Sequence, residues 1–436
     1  MPVKTAWLPK VSHSLASLSR NRALLNIGAL FSGSTVARVL SALSIFILAR
    51  QLGVDRFGQY TAALSLVKLA SILFSLGLDS WLLREGRRRP DGFGAAVGAN
   101  LATKVGLGLF WLIVLAIVAP FLNQTSFPTT LVLLAGLSTV LEELTATGWS
   151  AFKAALRNKV TVWLIISAPA ILLLLTLLLA LQGVEAAAYY FVARILAFAV
   201  AGAIALLLAW RSFGIEVRWR WMPTVLRETR AFGLSHGFSM IYERADITII
   251  AYVLGATAAG LYAPAVTLMT TLFLIPHAIY EVMLPMISAL HARSPAQVKR
   301  PAFRLFLLSA ALGVVLGLGM TVIAYPLVWL LYGPEFAASA PILVILSNVL
   351  VFKAVSFALA AVLAAVGWQG KRVIIQAAVA LLSIVATLLA ATYYGIEGVA
   401  YVYVLTEFLL MGGYLALLLR WQRQSLPQAS GSVAAS

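Results

Sequence analysis

Residues 52–85 read LGVDRFGQYTAALSLVKLASILFSLGLDSWLLRE, and residues 254–287 read LGATAAGLYAPAVTLMTTLFLIPHAIYEVMLPMI. The second stretch lies 202 positions after the first: Gly53 maps onto Gly255, Gly58 onto Gly260, Tyr60 onto Tyr262 and Asp79 onto Glu281. A fixed-period echo sets the architecture before any local reading does. Here the period is close to half of the 436 residues, so the chain reads as two similar halves.

Composition says where those halves reside. Hydrophobic residues make up 62% and charged residues 11%, with a mean hydropathy of +0.96. Such a surface needs lipid to cover it. There is no cysteine, which excludes disulfides, thiolate metal sites and cysteine nucleophiles. Roughly 20 apolar residues span a bilayer as a helix. Twelve segments qualify, near 24–48, 58–82, 94–119, 128–151, 160–181, 186–210, 232–253, 260–287, 304–330, 338–365, 373–393 and 398–419. The expected fold is therefore all-α and polytopic: twelve transmembrane helices in two parallel six-helix lobes around a central cavity, related by an axis along the membrane normal. The lobes would occupy 23–210 and 232–419. A basic amino-terminal segment (1–22), a linker (211–231) and a small polar tail (420–436) flank them.

The net charge of +17 in a soluble chain would suggest nucleic acid. Its distribution says otherwise. With a cytoplasmic amino end, the inner segments hold 24 Lys or Arg and the outer loops hold two, Arg50 and Arg56. Positive charge retained on one side orients a membrane protein, so both termini are expected in the cytoplasm and no nucleic-acid partner is expected. The Arg- and Trp-rich stretch 211–230 reads as a tether lying on the membrane surface. Gly53, Gly58, Gly255 and Gly260 read as bracketing seven- or eight-residue outer turns. Tyr60 and Tyr262 would then lie at the interface.

Charges at membrane depth are the functional candidates, because each costs about 2.5–3.5 kcal/mol on insertion scales. Arg38, Lys68, Lys104, Arg194, Arg244 and Lys353 are the cations, expected to hold phosphate or anionic sugar. Arg38 and Arg244 lead, since each lies near mid-membrane in the first helix of a lobe and Arg can clamp phosphate with two parallel bonds. Glu142, Glu243, Asp246 and Glu407 are candidates for coupling to H⁺ or Na⁺. Each could equally be held in a structural ion pair. Asp79 and Glu281, nearer the inner face, are expected to balance loop cations such as Arg84 and Arg87, or to gate the inner entrance. Arg244 and Asp246, two apart, point to nearly opposite sides of a regular helix and should not pair there.

At these residues the chain resembles the Wzx-type oligosaccharide flippases of the multidrug/oligosaccharidyl-lipid/polysaccharide exporter superfamily. The matching pieces are LGVDRFGQY and LGLDSWLLRE, Arg244-Ala245-Asp246, LGATAAGLYAPA, and Tyr332-Gly333-Pro334-Glu335-Phe336, and the resemblance extends over about 20–420. The resemblance implies alternating access and translocation of an undecaprenyl-pyrophosphate-linked saccharide across a bacterial inner membrane. It also implies lipids as neighbours and polysaccharide polymerase or chain-length proteins as partners.

Absences narrow the classes. No GxxxxGK[ST] loop is present, so ATP is not the direct drive. His13, His236, His277 and His291 lack metal-ligand spacing, and no cofactor is expected. An ion-coupled exporter of small cationic molecules is the alternative, and the buried cations oppose it. A membrane polymerase or ligase would need an outward platform, and the outer loops run to about ten residues at most.

Overall fold

The structure is a computed structural model, and it describes residues 8–86, 92–217 and 221–424. Among these it is helical throughout, without a strand. In chain order the helices are α1 (Leu8–Ala70), α2 (Ile72–Ser75), α3 (Leu78–Glu85), α4 (Phe93–Val118), α5 (Thr129–Ala154), α6 (Asn158–Leu181) and α7 (Ala187–Phe213). The second half follows with α8 (Met222–Val253), α9 (Ala256–Leu272), α10 (Leu274–Arg293), α11 (Lys299–Tyr332), α12 (Ser339–Ser347), α13 (Val349–Ala365) and α14 (Gln369–Gln424).

Nine stretches among the described residues are long and apolar enough to cross a membrane. Two of them hold two passes each. α1 is broken at Gly53 (φ 67°) and α14 at Gly395 (φ 66°), a backbone region that glycine enters without steric cost. α8 supplies the remaining pass. Twelve passes result, and Leu8 and Gln424, where the described residues begin and end, fall on the same side. We call it the near end, and the side of Gly53 and Gly395 the far end.

The helices are inverted relative to a soluble protein, with large apolar residues outside and small ones within. Phe110, Ile113, Ile117 and Phe121 form an exposed stripe at helical spacing on α4 and its extension, as do Val315, Leu318, Val322, Tyr325 and Trp329 on α11. Inside, Ala197, Ala201, Ala205 and Ala209 recur every fourth residue of α7, all buried, and pack on α5. Small residues let helix backbones approach where lipid supplies no hydrophobic drive. Thr145 Oγ1 on α5 donates to the Phe198 carbonyl of α7 at 3.0 Å, closing the contact.

The two halves meet at the far end through positions that the repeat makes equivalent. An added Cβ on Gly58 would overlap the Ala256 carbonyl oxygen and come 3.1 Å from the Gly260 nitrogen; one on Gly260 would overlap the Val54 oxygen and come 3.1 Å from the Gly58 Cα. Val54 and Ala256, like Gly58 and Gly260, stand 202 positions apart. So do Asp55 and Thr257, whose hydroxyl donates to the carboxylate at 2.5 Å. A local two-fold relation thus runs through this contact. Arg50 donates to the Leu330 carbonyl at 2.5 Å, and Phe57 packs edge-on against Phe336 at 5.7 Å. These interactions seal the far end.

This changes the expected outer turns. Gly53 (φ 67°) and Gly255 (φ 96°) break the helical run as expected, whereas Gly58 and Gly260 lie inside the helices that follow, where each missing side chain admits the other half. Tyr60 and Tyr262, two residues further along, are buried: Tyr60 stacks on Phe191 at 4.2 Å, and Tyr262 is fully enclosed. The start of the linker is anchored on the first half. Residues 214–217 lie across α4, where an added Cβ on Gly98 would come 2.6 Å from the Glu216 carbonyl carbon. Phe213 meets Phe93 edge-on at 5.0 Å. At the start of α8, Glu228 accepts a hydrogen bond from Trp81 Nε1 at 2.9 Å, tying α8 to α3.

Candidate functional site

The second pass is interrupted at Ser71 and again at Leu76–Gly77, both in left-handed conformation (φ 40° and 67°). Irregular backbone at membrane depth must find partners within the protein. Asn100 Nδ2 on α4 donates to the Leu78 carbonyl just past the break, at 2.6 Å. The break leads directly into Asp79, and around Asp79 the first charge cluster assembles. Lys104, 1% exposed, donates to Asp79 Oδ2 at 2.7 Å, to the Glu143 carbonyl at 2.8 Å and to Glu143 Oε2 at 3.1 Å. All three ammonium protons are placed. Two carboxylates against one cation leave this cluster with a surplus negative charge. Asp79 is thereby matched by Lys104 of α4, and not by a loop cation such as Arg84; Arg87 lies outside the described residues.

The second cluster begins one residue earlier on α5. Glu142 Oε2 accepts from both Lys68 and Arg194, each at 2.5 Å. The Arg194 guanidinium also lies 4.9 Å from the Phe198 ring centre. Two cations on one carboxylate leave a surplus positive charge. Neighbouring residues of one helix thus anchor clusters of opposite sign.

In the second half, Lys353 on α13 donates to Glu407 Oε1 on α14 at 2.7 Å, and its ammonium lies 5.2 Å from the Phe273 ring centre. Glu407 is completely buried, and its Oε2 has no partner among the described residues. Asp246, 7% exposed, caps the Ile247 amide at 2.8 Å. Glu281 lies 3.9 Å from His277 on the same helix face, α10. The side chains of Glu243 and Arg244 lie outside the described residues.

These groups surround two cavities. The first, of about 660 Å³, belongs mainly to the first half and is lined by Lys68, Asp79, Glu142, Glu143 and Arg194, with many hydroxyls. The second, of about 690 Å³, lies in the second half and is lined by His277, Tyr280, Lys353, Arg372, Gln376 and Tyr414. Arg38, Ser41, Ile45, Ile247 and Thr267 line both. Arg38 therefore stands at the junction of the two cavities, exposed to the space they share.

Of the twelve residues singled out in sequence, Arg38, Lys68, Arg194, Glu142 and Asp79 line the first cavity and Arg38 and Lys353 the second. Lys104 stands behind Asp79 and Glu143, and Glu407 behind Lys353. The carboxylates lining a cavity all belong to the first half, whereas the expected coupling acids were mostly in the second. Sequence reading did not single out Arg372, His277, Tyr280 or Tyr414. By sequence Arg372 falls with Lys371 in the short inner segment 366–372 between two apolar runs, where a cation reads as an orientation charge. The signal that could have retrieved it is Gln376, four residues on and polar in an apolar run.

Comparison with known proteins bears out the fold read from the sequence. The chain is similar to the solved structure of lipid II flippase MurJ in an inward closed conformation, at 14% identity and a TM-score of 0.71, covering 89% of this chain and 87% of that one. It is similar to an inward-facing multidrug resistance MATE family transporter of the MOP superfamily, at 14% identity and a TM-score of 0.73, covering 90% and 96%. A MOP superfamily transporter from Pyrococcus furiosus, described by the reverse polarity of its binding pocket, matches at 14% identity and a TM-score of 0.63, covering 92% and 96%. No curated protein sequence matches significantly. Residues 47–341, well over half of the chain and including both copies of the repeat, match the sequence profile of one family, and the chain belongs to that family, the polysaccharide biosynthesis proteins.

Proposed function

We propose that this protein moves a lipid-linked saccharide across the membrane, from the near end to the far end, by alternating access between two six-helix lobes (23–210 and 232–419) joined by the linker 211–231. The observation that carries this reading is Arg38. It is a cation at membrane depth, exposed at the junction of two polar cavities, in a chain of the polysaccharide biosynthesis family. A saccharide attached to an apolar carrier through phosphate needs a polar space for its sugars, a cation for its phosphate, and lipid for its tail. The fold supplies the first two inside and the third outside.

The substrate in this reading is an undecaprenyl-pyrophosphate-linked oligosaccharide. The membrane is the bacterial inner membrane with both termini cytoplasmic, in keeping with the charge asymmetry of the loops. The protein acts as a transporter, not an enzyme. The sealed far end corresponds to the state that receives substrate from the cytoplasm. Ion coupling belongs to the clusters with surplus charge, and Asp79 and Glu143 are the better acceptors because one Lys104 cannot neutralise both. Glu142 is held between two cations. An exporter of small cations is disfavoured by a second cavity that, among the described residues, is lined by cations without a carboxylate.

The test is made in cells lacking this gene. A periplasm-restricted probe reports the leaflet on which undecaprenyl-linked saccharide accumulates. Cytoplasmic accumulation relieved by the wild-type gene, and not by Arg38→Gln expressed at the same level, supports the reading. Normal arrival of saccharide in the periplasm without the gene refutes it.

A further inference from the structure

The two cavities differ in charge. The first sets Asp79, Glu142 and Glu143 against its cations, whereas Arg38, Lys353 and Arg372 line the second and no carboxylate does, among the described residues. Lys353 is matched by Glu407 directly behind it at 2.7 Å. Arg38 stands at the junction. What remains inside the second cavity is one unmatched cation, Arg372.

Its setting is that of a receptor for an acceptor group that none of the described residues supplies. Arg372 Nε is buried and has no hydrogen-bond partner among the described residues. A guanidinium presents its N–H groups as a planar fork that fits a carboxylate bidentately. Aromatic side chains stand in the same cavity. Tyr280 and Phe357 approach to 6.2 Å between ring centres, and His277 meets Phe357 edge-on at 5.5 Å. Ring faces of this kind pack against the C–H faces of a pyranose, and Tyr414 offers its hydroxyl to a sugar hydroxyl. A volume of about 690 Å³ lies in the range of ligand pockets, roughly 300–1,000 Å³.

We propose that the second cavity selects a saccharide bearing a carboxylate, a hexuronate-type sugar, whose anionic group is held by Arg372 while the phosphate end stays at Arg38. This rests on the lipid-linked saccharide reading above. The tail must remain in lipid, so the phosphates adjoining it stay at the junction between the halves and the sugars extend inward.

The test uses the purified full-length protein in nanodiscs and two synthetic probes with the same short prenyl-pyrophosphate tail, one carrying a glucuronate-containing disaccharide and one its neutral glucose counterpart. Binding is measured by thermophoresis. Wild-type protein should bind the acidic probe about tenfold more tightly, the worth of one charge-assisted hydrogen-bonded pair. Arg372→Gln should collapse that ratio to about one, whereas Arg38→Gln should weaken both probes alike. Equal binding of the two probes by wild type overturns this inference alone and leaves the flippase reading standing. Equal loss of both probes in Arg372→Gln overturns it too, by making the cavity a phosphate site. Binding of neither probe sinks the lipid-linked saccharide reading and this inference with it. Should Arg372→Gln aggregate, the wild-type comparison decides by itself.

Discussion

Replacing Gly58 with alanine puts a methyl group where the two halves touch. An ideal Cβ there overlaps the Ala256 carbonyl oxygen, lies 2.6 Å from its carbonyl carbon and 3.1 Å from the Gly260 nitrogen. Comfortable carbon–carbon separations are about 3.5–4.0 Å, so one backbone must retreat by about 1 Å. Neither is the tip of a flexible side chain. Overpacking of a tight contact costs about 1–3 kcal/mol. In the alternating-access reading proposed above the contact breaks when the far end opens, so that cost falls on the closed state, and a bias of that size shifts a two-state equilibrium about 5–150-fold. The chain has no cysteine, so Thr257→Cys is a unique reporter at the seal. An impermeant maleimide applied from the far side of proteoliposomes should label it at least about fivefold faster in Gly58→Ala. Gly412→Ala is the control, since nothing lies within 4 Å of a Cβ added there. Labelling of Gly58→Ala at the wild-type rate, with the protein still folded, would refute the idea that this contact seals the far end.

Three further outcomes are expected. Lys104→Met leaves Asp79 and Glu143 buried without their common cation and should lower stability by about 3–5 kcal/mol, read as a fall in the melting temperature; adding Asp79→Asn should recover part of it, and no recovery would count against the cluster as drawn. For the pair Lys353 and Glu407, either Lys353→Met or Glu407→Gln alone should cost more than the double substitution adds to it, giving a coupling of about 0.5–3 kcal/mol in a double-mutant cycle; additivity would show that the two do not interact. Gly98→Ala pushes residues 214–217 off α4, so tryptic cleavage after Arg211 should accelerate relative to wild type while Gly412→Ala leaves it unaltered.

The sequence alone determined that the chain crosses a membrane twelve times, that it is a duplication, and that charges such as Lys68, Glu142 and Arg194 are central to it. It could do so because these properties are local or periodic: apolar length sets a span, loop charge sets alternation, and a charge in an apolar run costs free energy wherever it lies. Only the tertiary structure decided the partners. Lys68 reaches Glu142 across 74 positions and Lys353 reaches Glu407 across 54, separations on which spacing along a helix carries no information. The same holds for Gly58 and Gly260. Their repetition was visible, but a missing side chain does not announce what will fill its space, and the reading as turn glycines followed from neighbours in sequence rather than in space. Arg372 shows the limit most plainly. In sequence it is one more cation at a helix start, and it becomes a charge of a cavity that, among the described residues, no carboxylate lines only when the fold brings His277, Tyr280 and Lys353 to the same space, because a net charge is a property of an enclosure and not of a residue.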